Sequence, residues 1–431
     1  MTSRYARVEV NINGSLRPPP STSLRWLVGW RLAVTDTTLR DGQQGWRPLS
    51  VEEGLEVYRI IAEIDRSGVI ESVEVFPYTS RDRRLAQLLL DEPWGPRVIG
   101  WVRASIGDLR LIKDLGLDET VILASSSDYH IYHKLNTNRS RALDKYLEVV
   151  KEAYRLGLSV RLALEDVTRA DIRGFVRELV ERTMRIQERE GLGLRIKLSD
   201  TLGLGLPFPE APLPRGVPAL VRFMRSLGLE PEQLEFHGHN DYGLVVANHL
   251  AAWLNGASFS NCTLFGVGER AGNCPLEVML LHYIALTGRM SDVDLTLLPK
   301  AYKLFRDLGY DPSRYKPLVG GNAHSTMAGI HVDGLLKNPW IYLPYDPRIV
   351  GSIPSIILTP LGGRSAVAAW IANRLGYVNY LELKRDPRVE AVYLDIVRLY
   401  DENSMRSPLD EDLLVEIASR YFPELKVTVN E

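Results

Sequence analysis

Short apolar segments rich in β-branched residues alternate with longer amphipathic segments from residue 31 to about residue 290. The apolar segments have the length of buried strands, and the amphipathic segments repeat their apolar positions with the period of a helix. Eight strands are predicted, at residues 31–36, 71–76, 97–102, 120–125, 159–164, 195–200, 233–238 and 261–266. Strands that alternate with helices indicate a parallel sheet.

Local signals at the helix ends support this pattern. Ser50 and Glu53 have the spacing of a capping box at the start of the first helix. The helices predicted within residues 141–157 and 171–191 each end at a glycine. Eight strand–helix units in about 255 residues predict an α/β fold, a closed (β/α)8 TIM barrel. A doubly wound sheet is the alternative, but no G-x-G-x-x-G motif follows the first strand.

The pattern divides the chain into four predicted segments. Residues 1–30 form an N-terminal arm or cap, and residues 31–290 form the barrel as the catalytic domain. Residues 291–359 are a loop-rich linker or subdomain. Residues 360–431 form a C-terminal extension that is mostly helical.

The composition narrows the class of protein. A formal net charge of −2 gives no basic surface for nucleic acid or for an anionic membrane. Two cysteines, Cys262 and Cys274, exclude a disulfide framework and indicate a reducing compartment. No apolar segment reaches the length of a membrane span, and the first residues lack the apolar core of a signal peptide. We therefore expect a cytoplasmic enzyme that binds neither nucleic acid nor membrane.

Polar residues cluster where the predicted strands end, which is where a TIM barrel carries its active site. His237 and His239 end the seventh strand, and Asp41 follows the first. Because residues two apart on a strand point to the same side, both imidazoles face the barrel mouth. Two imidazoles and a carboxylate with open positions predict a divalent metal site. Two hydrogen-bonded structural histidines are the alternative.

Three other features allow two interpretations each. Arg161 and Glu165 on the fifth strand are either site residues or an ion pair that lines the barrel. The segment SDYHIY at 127–132 either lines a substrate pocket or forms a hydrogen-bonded loop. We expect Cys262 and Cys274 to be small buried residues rather than nucleophiles.

Three motifs carry a resemblance to a known family. DTTLRDGQQ follows the first strand, HGHND ends the seventh, and GVGERAGN follows the eighth. In this order they resemble the motifs of the DRE-TIM metallolyases, over about residues 31–345. That group includes isopropylmalate, homocitrate and Re-citrate synthases and hydroxymethylglutaryl-CoA lyase.

The resemblance implies a metal centre. Asp41, His237 and His239 match the family's ligands of Mg²⁺ or Mn²⁺, and Asn273 matches a residue close to the metal. Arg40 matches an arginine that stabilises the developing oxyanion. The residue before Gln44 departs from the family, because it is Gln43 where an acid or asparagine is usual.

The resemblance also implies residues that hold substrate and move the proton. Gln44, Thr201 and Arg161 match groups around the 2-oxo acid. The segment HSTMAGIHVDG resembles the one that brings in a catalytic histidine, here His331. It implies that His331 removes a proton from acetyl-CoA.

Two further residues would orient His331. Glu165 belongs to the strand-five pair, and Tyr342 matches a tyrosine of homocitrate synthases. Because His331 lies outside the barrel segment, we expect a homodimer in which a partner subunit supplies it. The chain ends without a long regulatory domain of the isopropylmalate synthase type, so end-product inhibition through such a domain is not expected.

Within the group, several stretches resemble the Re-citrate synthases, among them KLSDTLGLGLPFPEAPLPRGVPALV after the sixth strand. The expected reaction is therefore a Claisen condensation of acetyl-CoA with oxaloacetate. A buried second carboxylate needs donors, and the rim offers several, at Arg47, Arg103, Tyr129, His130 and Tyr132. Homocitrate and isopropylmalate synthases are the alternatives, followed by an acyl-CoA lyase.

Two more distant alternatives belong to other classes. Amidohydrolases also place H-x-H in a barrel, but on the first strand rather than the seventh. A barrel without catalytic activity that serves as a binding or regulatory subunit is the second, although every position that maps to the family's site is filled here.

Overall fold

A closed barrel of eight parallel strands dominates the computed structural model of the chain. The structure describes residues 5–19, 29–376, 380–402 and 408–425. These residues form two units. The barrel unit ends at Asp311, and the second unit combines the N-terminal residues with those from Pro312 onward.

The barrel strands confirm the predicted fold class. They are β2 (Ala33–Asp36), β3 (Ile70–Val75), β4 (Arg97–Arg103), β5 (Glu119–Ser125), β6 (Ser159–Glu165), β7 (Leu194–Asp200), β8 (Leu234–Gly238) and β9 (Phe259–Cys262), after a short β1 (Arg7–Glu9) in the second unit. Each strand pairs in parallel with the next, and β9 pairs with β2 to close the barrel.

Helices surround the barrel. They are α1 (Val51–Ile64), α2 (Ser80–Leu90), α3 (Ile106–Asp114), α4 (Arg139–Arg155), α5 (Arg177–Glu190), α6 (Val217–Ser226), α7 (Val245–Leu254), α8 (Leu276–Thr287) and α9 (Leu298–Asp307). The capping box of Ser50 and Glu53 forms as predicted. Helix α5 ends at Gly191, which takes the left-handed conformation (φ 72°) that a glycine adopts without strain.

The second unit has its own small sheet and core. Strand β1 pairs antiparallel with β11 (Ser355–Ile357), which pairs in parallel with β10 (Ser325–Thr326). Its helices are α10 (Gly329–Lys337), α11 (Gly363–Leu375), α12 (Tyr380–Leu383), α13 (Pro387–Asp401) and α14 (Glu411–Ala418). Helix α11 is buried along most of its length, with Trp370 only 1% exposed.

The two units differ from the four segments that the pattern predicts. The barrel unit extends past residue 290, because α9 packs on α1. Residues 7–9, predicted as part of an arm or cap, are a strand of the second unit. None of the described helices is long and apolar enough to cross a membrane.

Candidate active site

Asp41, His237 and His239 meet at the carboxyl end of the barrel. Their potential ligand atoms lie within 4.8 Å of one another. Nε2 of His237 is 3.7 Å from Oδ2 of Asp41, and Nε2 of His239 is 3.6 Å from the same atom. Strand β8 carries His237 and His239 follows its last residue, while a π-helical turn at Thr38–Gly42, just after β2, carries Asp41. The structure thus brings together the three residues predicted to bind a metal.

Burial and charge set the protonation of this group. Burial would raise the pKa of Asp41, but the positive charge of Arg40, the two nearby imidazole rings and the hydrogen bond from Asn273 outweigh it and hold the pKa well below its usual range. Burial lowers the pKa of His237 to about 3 and also lowers that of His239. The site therefore presents an ionised carboxylate and neutral imidazoles, which are the forms that bind metals.

The far side of His237 is held by hydrogen bonds inside the barrel. Its Nδ1 is 2.8 Å from Oδ1 of Asn261. The Asn261 amide group donates to Thr35 Oγ1 (2.8 Å) and to Glu74 Oε1 (3.1 Å), so Oδ1 is its accepting atom. His237 therefore donates from Nδ1 and keeps a lone pair on Nε2, facing Asp41. Metal-binding histidines are oriented in this way.

Asn273 tests whether the site fits a cation. Its Nδ2 donates to Asp41 Oδ2 at 2.6 Å, while its Oδ1 is buried without a hydrogen-bond partner. A buried carbonyl oxygen without a partner is costly, and a nearby divalent ion would satisfy it. Carboxylate, imidazole and amide oxygen suit Mg²⁺ or Mn²⁺. The residues present therefore fit a divalent metal.

Arg40 is buried beside this group. Its guanidinium donates to Asp41 Oδ1 at 2.8 Å and to Glu74 Oε2 at 3.0 and 3.2 Å. Its Cζ lies 5.2 Å from the centre of the Trp101 ring. These contacts fix a permanent positive charge at the edge of the site, where negative charge on a reacting oxygen would be stabilised.

A cavity of about 230 Å³ opens above these residues. It contains seven of the predicted site residues, Arg40, Asp41, Gln44, Glu165, Thr201, His237 and His239. Gln44 reaches this cavity, whereas the neighbouring Gln43 accepts a hydrogen bond from the Leu49 amide at 2.7 Å and so shapes its own loop. Thr201 Oγ1 accepts from the amide of Asp166 at 2.9 Å.

Glu165 and Lys134 form an ion pair on one wall of the cavity. Nζ of Lys134 lies 2.7 and 2.8 Å from the two carboxylate oxygens. Burial would raise the pKa of Glu165, but contacts with His130, Lys134 and Ser125 outweigh it and lower the pKa to about 2. Glu165 is therefore ionised at neutral pH.

Sequence reasoning missed Lys134 as a site residue. It ends a π-helical segment at Tyr129–Lys134, nine residues beyond the end of β5 at Ser125. The available signal was the H-x-x-x-K spacing of His130 and Lys134, because one helical turn places such residues on the same face.

The structure corrects the placement of Arg161. Its side chain is fully buried and bonds Glu71 (2.7 Å), Ser72 (2.9 Å) and Glu119. Because a strand rises about 3.3 Å per residue, Arg161 lies roughly 13 Å from Glu165 along β6, toward the interior of the barrel. Arg161 thus belongs to a buried ion cluster, does not line the cavity, and does not pair with Glu165.

Two arginines that were considered as donors to a second carboxylate of the substrate form ion pairs within the protein instead. Arg103 pairs with Asp108 at 2.9 Å and is absent from the cavity wall. Arg47 forms an ion pair with Glu53 at 2.7 Å and donates to the carbonyl of Leu308. A position near the end of a strand therefore did not predict where either side chain lies.

His331 and Tyr342 belong to the second unit. His331 lies on α10, and its ring centre is 4.4 Å from that of Tyr342. The two residues predicted to act together are thus in contact. Their participation in the barrel site stays a prediction.

Comparisons with known proteins agree with this arrangement. A family model described as HMGL-like matches residues 31–304. The chain is 36% identical over 403 residues to a citrate (Re)-synthase of Clostridium kluyveri, covering 91% of this chain and 88% of that protein. It is 40% identical over 381 residues to a 2-phosphinomethylmalate synthase of Streptomyces hygroscopicus, with 85% of each covered.

A solved structure shows the likeness of the fold. An HMG-CoA lyase from Acenitobacter baumannii matches with a TM-score of 0.55 and 19% identity. The match covers 66% of this chain and 94% of that chain.

Proposed function

The chain belongs to the HMGL-like family, and from this premise we propose that it condenses acetyl-CoA with oxaloacetate to give citrate. The resemblance to the DRE-TIM metallolyases is confirmed by this membership. The buried group of Asp41, His237 and His239 at the cavity is the observation that carries the proposal. The relative from Clostridium kluyveri supports the choice of reaction.

Asp41, His237 and His239 would hold Mg²⁺ or Mn²⁺, with Asn273 beside them. Such an ion supplies Lewis-acid polarisation of a carbonyl group. Arg40, fixed by Asp41 and Glu74, would stabilise charge that develops on the keto oxygen. Gln44 and Thr201 line the same cavity and would orient the 2-oxo acid.

His331 is the proposed base. It would remove a proton from the methyl group of acetyl-CoA, and the resulting carbon nucleophile would attack the keto carbon. Tyr342 and Glu165 would orient the imidazole. Hydrolysis of the thioester then releases citrate and coenzyme A and makes the reaction irreversible.

The extent of the similarity favours a synthase over a lyase. The lyase of known structure matches about two thirds of this chain, whereas the citrate (Re)-synthase matches 91% of it. The HMGL-like family model ends at residue 304, and the segment with His331 and Tyr342 follows it.

Lys134 supports a dicarboxylic substrate. Among the described residues that line the cavity, the cations are Arg40, Lys134 and Lys197. Lys197 is buried between Glu74 and Glu235. Lys134 leaves 46% of its side chain exposed. The ammonium group of Lys134 has three N–H donors. Two of them can bond the carboxylate oxygens of Glu165, so the third can bind a second carboxylate.

The test is thiol release from acetyl-CoA with oxaloacetate, 2-oxoglutarate, 2-oxoisovalerate and pyruvate. We expect the highest kcat/KM for oxaloacetate, and labelled citrate should show attack on the re face. A site that hydrogen-bonds a substrate group rejects an analogue without it by roughly 10⁴-fold. A highest kcat/KM for 2-oxoglutarate or 2-oxoisovalerate would instead make the protein a homocitrate or isopropylmalate synthase.

Two further measurements test the roles. Chelation should abolish activity, and Mg²⁺ or Mn²⁺ should restore it; full activity without metal contradicts the metal site. His331→Ala should remove turnover and leave the affinity for the 2-oxo acid near normal. Retained kcat in His331→Ala would leave Glu165 as the base.

The proposal also includes a homodimer and a cytoplasmic location. A homodimer would allow one subunit to supply His331 to the other, which mixing inactive His331→Ala with inactive Asp41→Asn subunits would test by recovery of activity. The low net charge agrees with a cytoplasmic protein that binds neither nucleic acid nor membrane.

A further inference from the structure

A second group of potential metal ligands lies in the barrel wall. His249, Cys262 and Cys274 are each fully buried, and one ligand atom from each lies within 4.8 Å of the others. Asn261 points into the barrel toward His237, so the neighbouring Cys262 points to the opposite face of β9. The group is thus separated from the active-site cavity by the strands themselves.

The imidazole of His249 is oriented toward this group. Its Nδ1 is 2.6 Å from Ser260 Oγ, and its Nε2 is buried without a hydrogen-bond partner. A Cβ added to Gly238 would meet Nε2 at 3.4 Å, so this nitrogen lies beside Gly238. Since His237 pairs with Asn261 in the strand register, Gly238 lies level with Cys262.

The backbone brings the two cysteines to the same level. The amide of Thr263 donates to the carbonyl of Cys274 at 3.0 Å, and Thr263 forms a parallel bridge with Pro275. Cys262 and Cys274 each come one residue before this bridge. They therefore lie side by side and point to the same face. They are not joined by a disulfide.

We propose that His249, Cys262 and Cys274 bind a zinc ion. Two sulfurs and an imidazole are ligands that zinc prefers, whereas Mg²⁺ and Mn²⁺ prefer oxygen. Two metal–sulfur bonds of about 2.3 Å place their sulfurs at most about 4.6 Å apart, so small side-chain movements suffice. When Nδ1 donates to Ser260 Oγ, Nε2 is left as the ligand, which is the usual arrangement for a bound histidine.

The charge balance suits the buried position. Each cysteine loses one proton when it binds, so Zn²⁺ replaces two protons and the group stays neutral. The ion would also join helix α7 to β9 and to the loop of Cys274. Because Cys274 directly follows Asn273, the zinc site would hold in place the loop that carries an active-site residue.

Metal analysis after dialysis against EDTA tests the proposal, with full-length protein produced in zinc-supplemented medium. Wild-type protein should retain about one zinc per chain, because all three ligands are fully buried and the chelator cannot reach the ion in the folded protein. Cys262→Ala and Cys274→Ala should each retain none. Asp41→Asn, which lacks the active-site carboxylate, should retain the zinc as wild type does. Zinc absent from wild type, or equal in the cysteine variants, overturns the proposal.

Cobalt provides a second measurement that needs no variant. Protein produced with Co²⁺ in place of zinc should show a sulfur-to-cobalt charge-transfer band, which the oxygen and nitrogen ligands of the active site cannot give. A cobalt-loaded protein without this band also overturns the proposal. Neither readout depends on catalysis, so its failure is distinct from a failure of the proposed reaction.

Discussion

His237 shows how the neighbours of one side chain decide its chemistry. Asn261 fixes the imidazole so that Nε2 faces Asp41, and Thr35 and Glu74 fix Asn261 in turn. Purely structural histidines would be hydrogen-bonded to the carboxylate that they face, yet Nε2 of His237 and of His239 lie 3.7 and 3.6 Å from Oδ2 of Asp41, beyond hydrogen-bond distance. The contacts favour metal binding over the structural alternative.

Asn261→Ala should lower the affinity for Mn²⁺ by about 10- to 100-fold, because residues that orient a metal ligand typically contribute this much. Activity at saturating metal should fall much less, since Asp41 and both histidines remain. The measurement is activity against free Mn²⁺ concentration. Asn255→Ala, at the end of α7, is the matched control. Equal metal affinity in Asn261→Ala and wild type would contradict the orienting role.

Lys134→Met should lower kcat/KM for oxaloacetate by about 10- to 100-fold, the cost of losing a hydrogen bond to a charged group. Pyruvate lacks the second carboxylate, so its kcat/KM should change little. Lys151→Met, on the exposed face of α4, is the control. A loss that is equal for both substrates would exclude a role in specificity.

Lys134→Met should also change how the reaction rate depends on pH. Lys134 helps to lower the pKa of Glu165 to about 2. Without the ammonium group this pKa rises, so Glu165 takes up a proton at a higher pH. If the carboxylate is the active form, the acidic limb of the pH–rate profile should move upward in Lys134→Met. An unchanged limb would show that Glu165 ionisation does not limit the reaction.

The sequence allows these residues to be predicted to different degrees. The two-residue period of a strand correctly placed His237 and His239 at the mouth. The same period gives the direction of Arg161 but not its depth, and its partners Glu71 and Glu119 lie far away in sequence. Lys134 lies on a π-helical segment after its strand, which strand periodicity does not describe.

At the scale of elements, the barrel itself follows from the sequence. Most predicted strands agree with the observed ones within one or two residues, because buried strands differ sharply from amphipathic helices in pattern. The eighth strand is the exception, since β9 ends at Cys262 and a short 3₁₀ turn follows at Leu264–Gly266. π-Helical turns at Thr38–Gly42 and Tyr129–Lys134 carry functional groups, and no simple period predicts them.

Two loops that carry site residues touch at Gly45. A Cβ at Gly45 would lie 1.8 Å from the carbonyl carbon of Gly268 and 2.3 Å from the amide nitrogen of Glu269. Gly45→Ala should therefore separate the loop of Asp41 from the loop of Glu269. We expect a loss of roughly 1–3 kcal/mol in the free energy of unfolding, as for overpacked cores, and weaker metal binding.

Urea unfolding and metal titration of Gly45→Ala measure these effects. Gly107→Ala is the matched control, because Gly107 is exposed in α3 and an added Cβ meets no atom closer than 3.7 Å. That control should gain stability, since alanine favours the helix. A Gly45→Ala protein with normal stability and metal affinity would show that the loops can separate without consequence.

At the scale of the whole molecule, the division into units was the least predictable feature. Strand β1 has three residues and pairs with β11, more than 340 residues later. So short a strand gains its stability from that distant partner, and local pattern does not reveal the pairing. Helix α13 of the C-terminal region was predictable because it has its own apolar face, on which Val389, Val392 and Ile396 are buried.

Acid should unfold the metal-free protein, because two kinds of buried group act in the same direction. The pKa of Glu74 and of Glu165 is about 2 in the folded chain against an ordinary value of 4.5. Their contribution to stability is complete above pH 4.5 and is lost as the pH falls toward 2. The pKa of His237 is lowered from 6.5 to about 3, so the unfolded chain takes up its proton first as the pH falls below 6.5. Urea midpoints should therefore decrease steeply below about pH 4.5.

Asp36 acts in the opposite direction and provides the control. Burial raises its pKa from 3.8 to about 7, so its ionisation disfavours folding as the pH rises through this range. Asn can accept the hydrogen bond from the Thr38 amide that Asp36 accepts at 2.9 Å. The difference in stability between Asp36→Asn and wild type should therefore favour the variant more at pH 8 than at pH 4. Equal differences at both pH values would show that Asp36 ionises freely. For the wild type, a urea midpoint that does not change from pH 7 to pH 3 would contradict the roles of Glu74, Glu165 and His237.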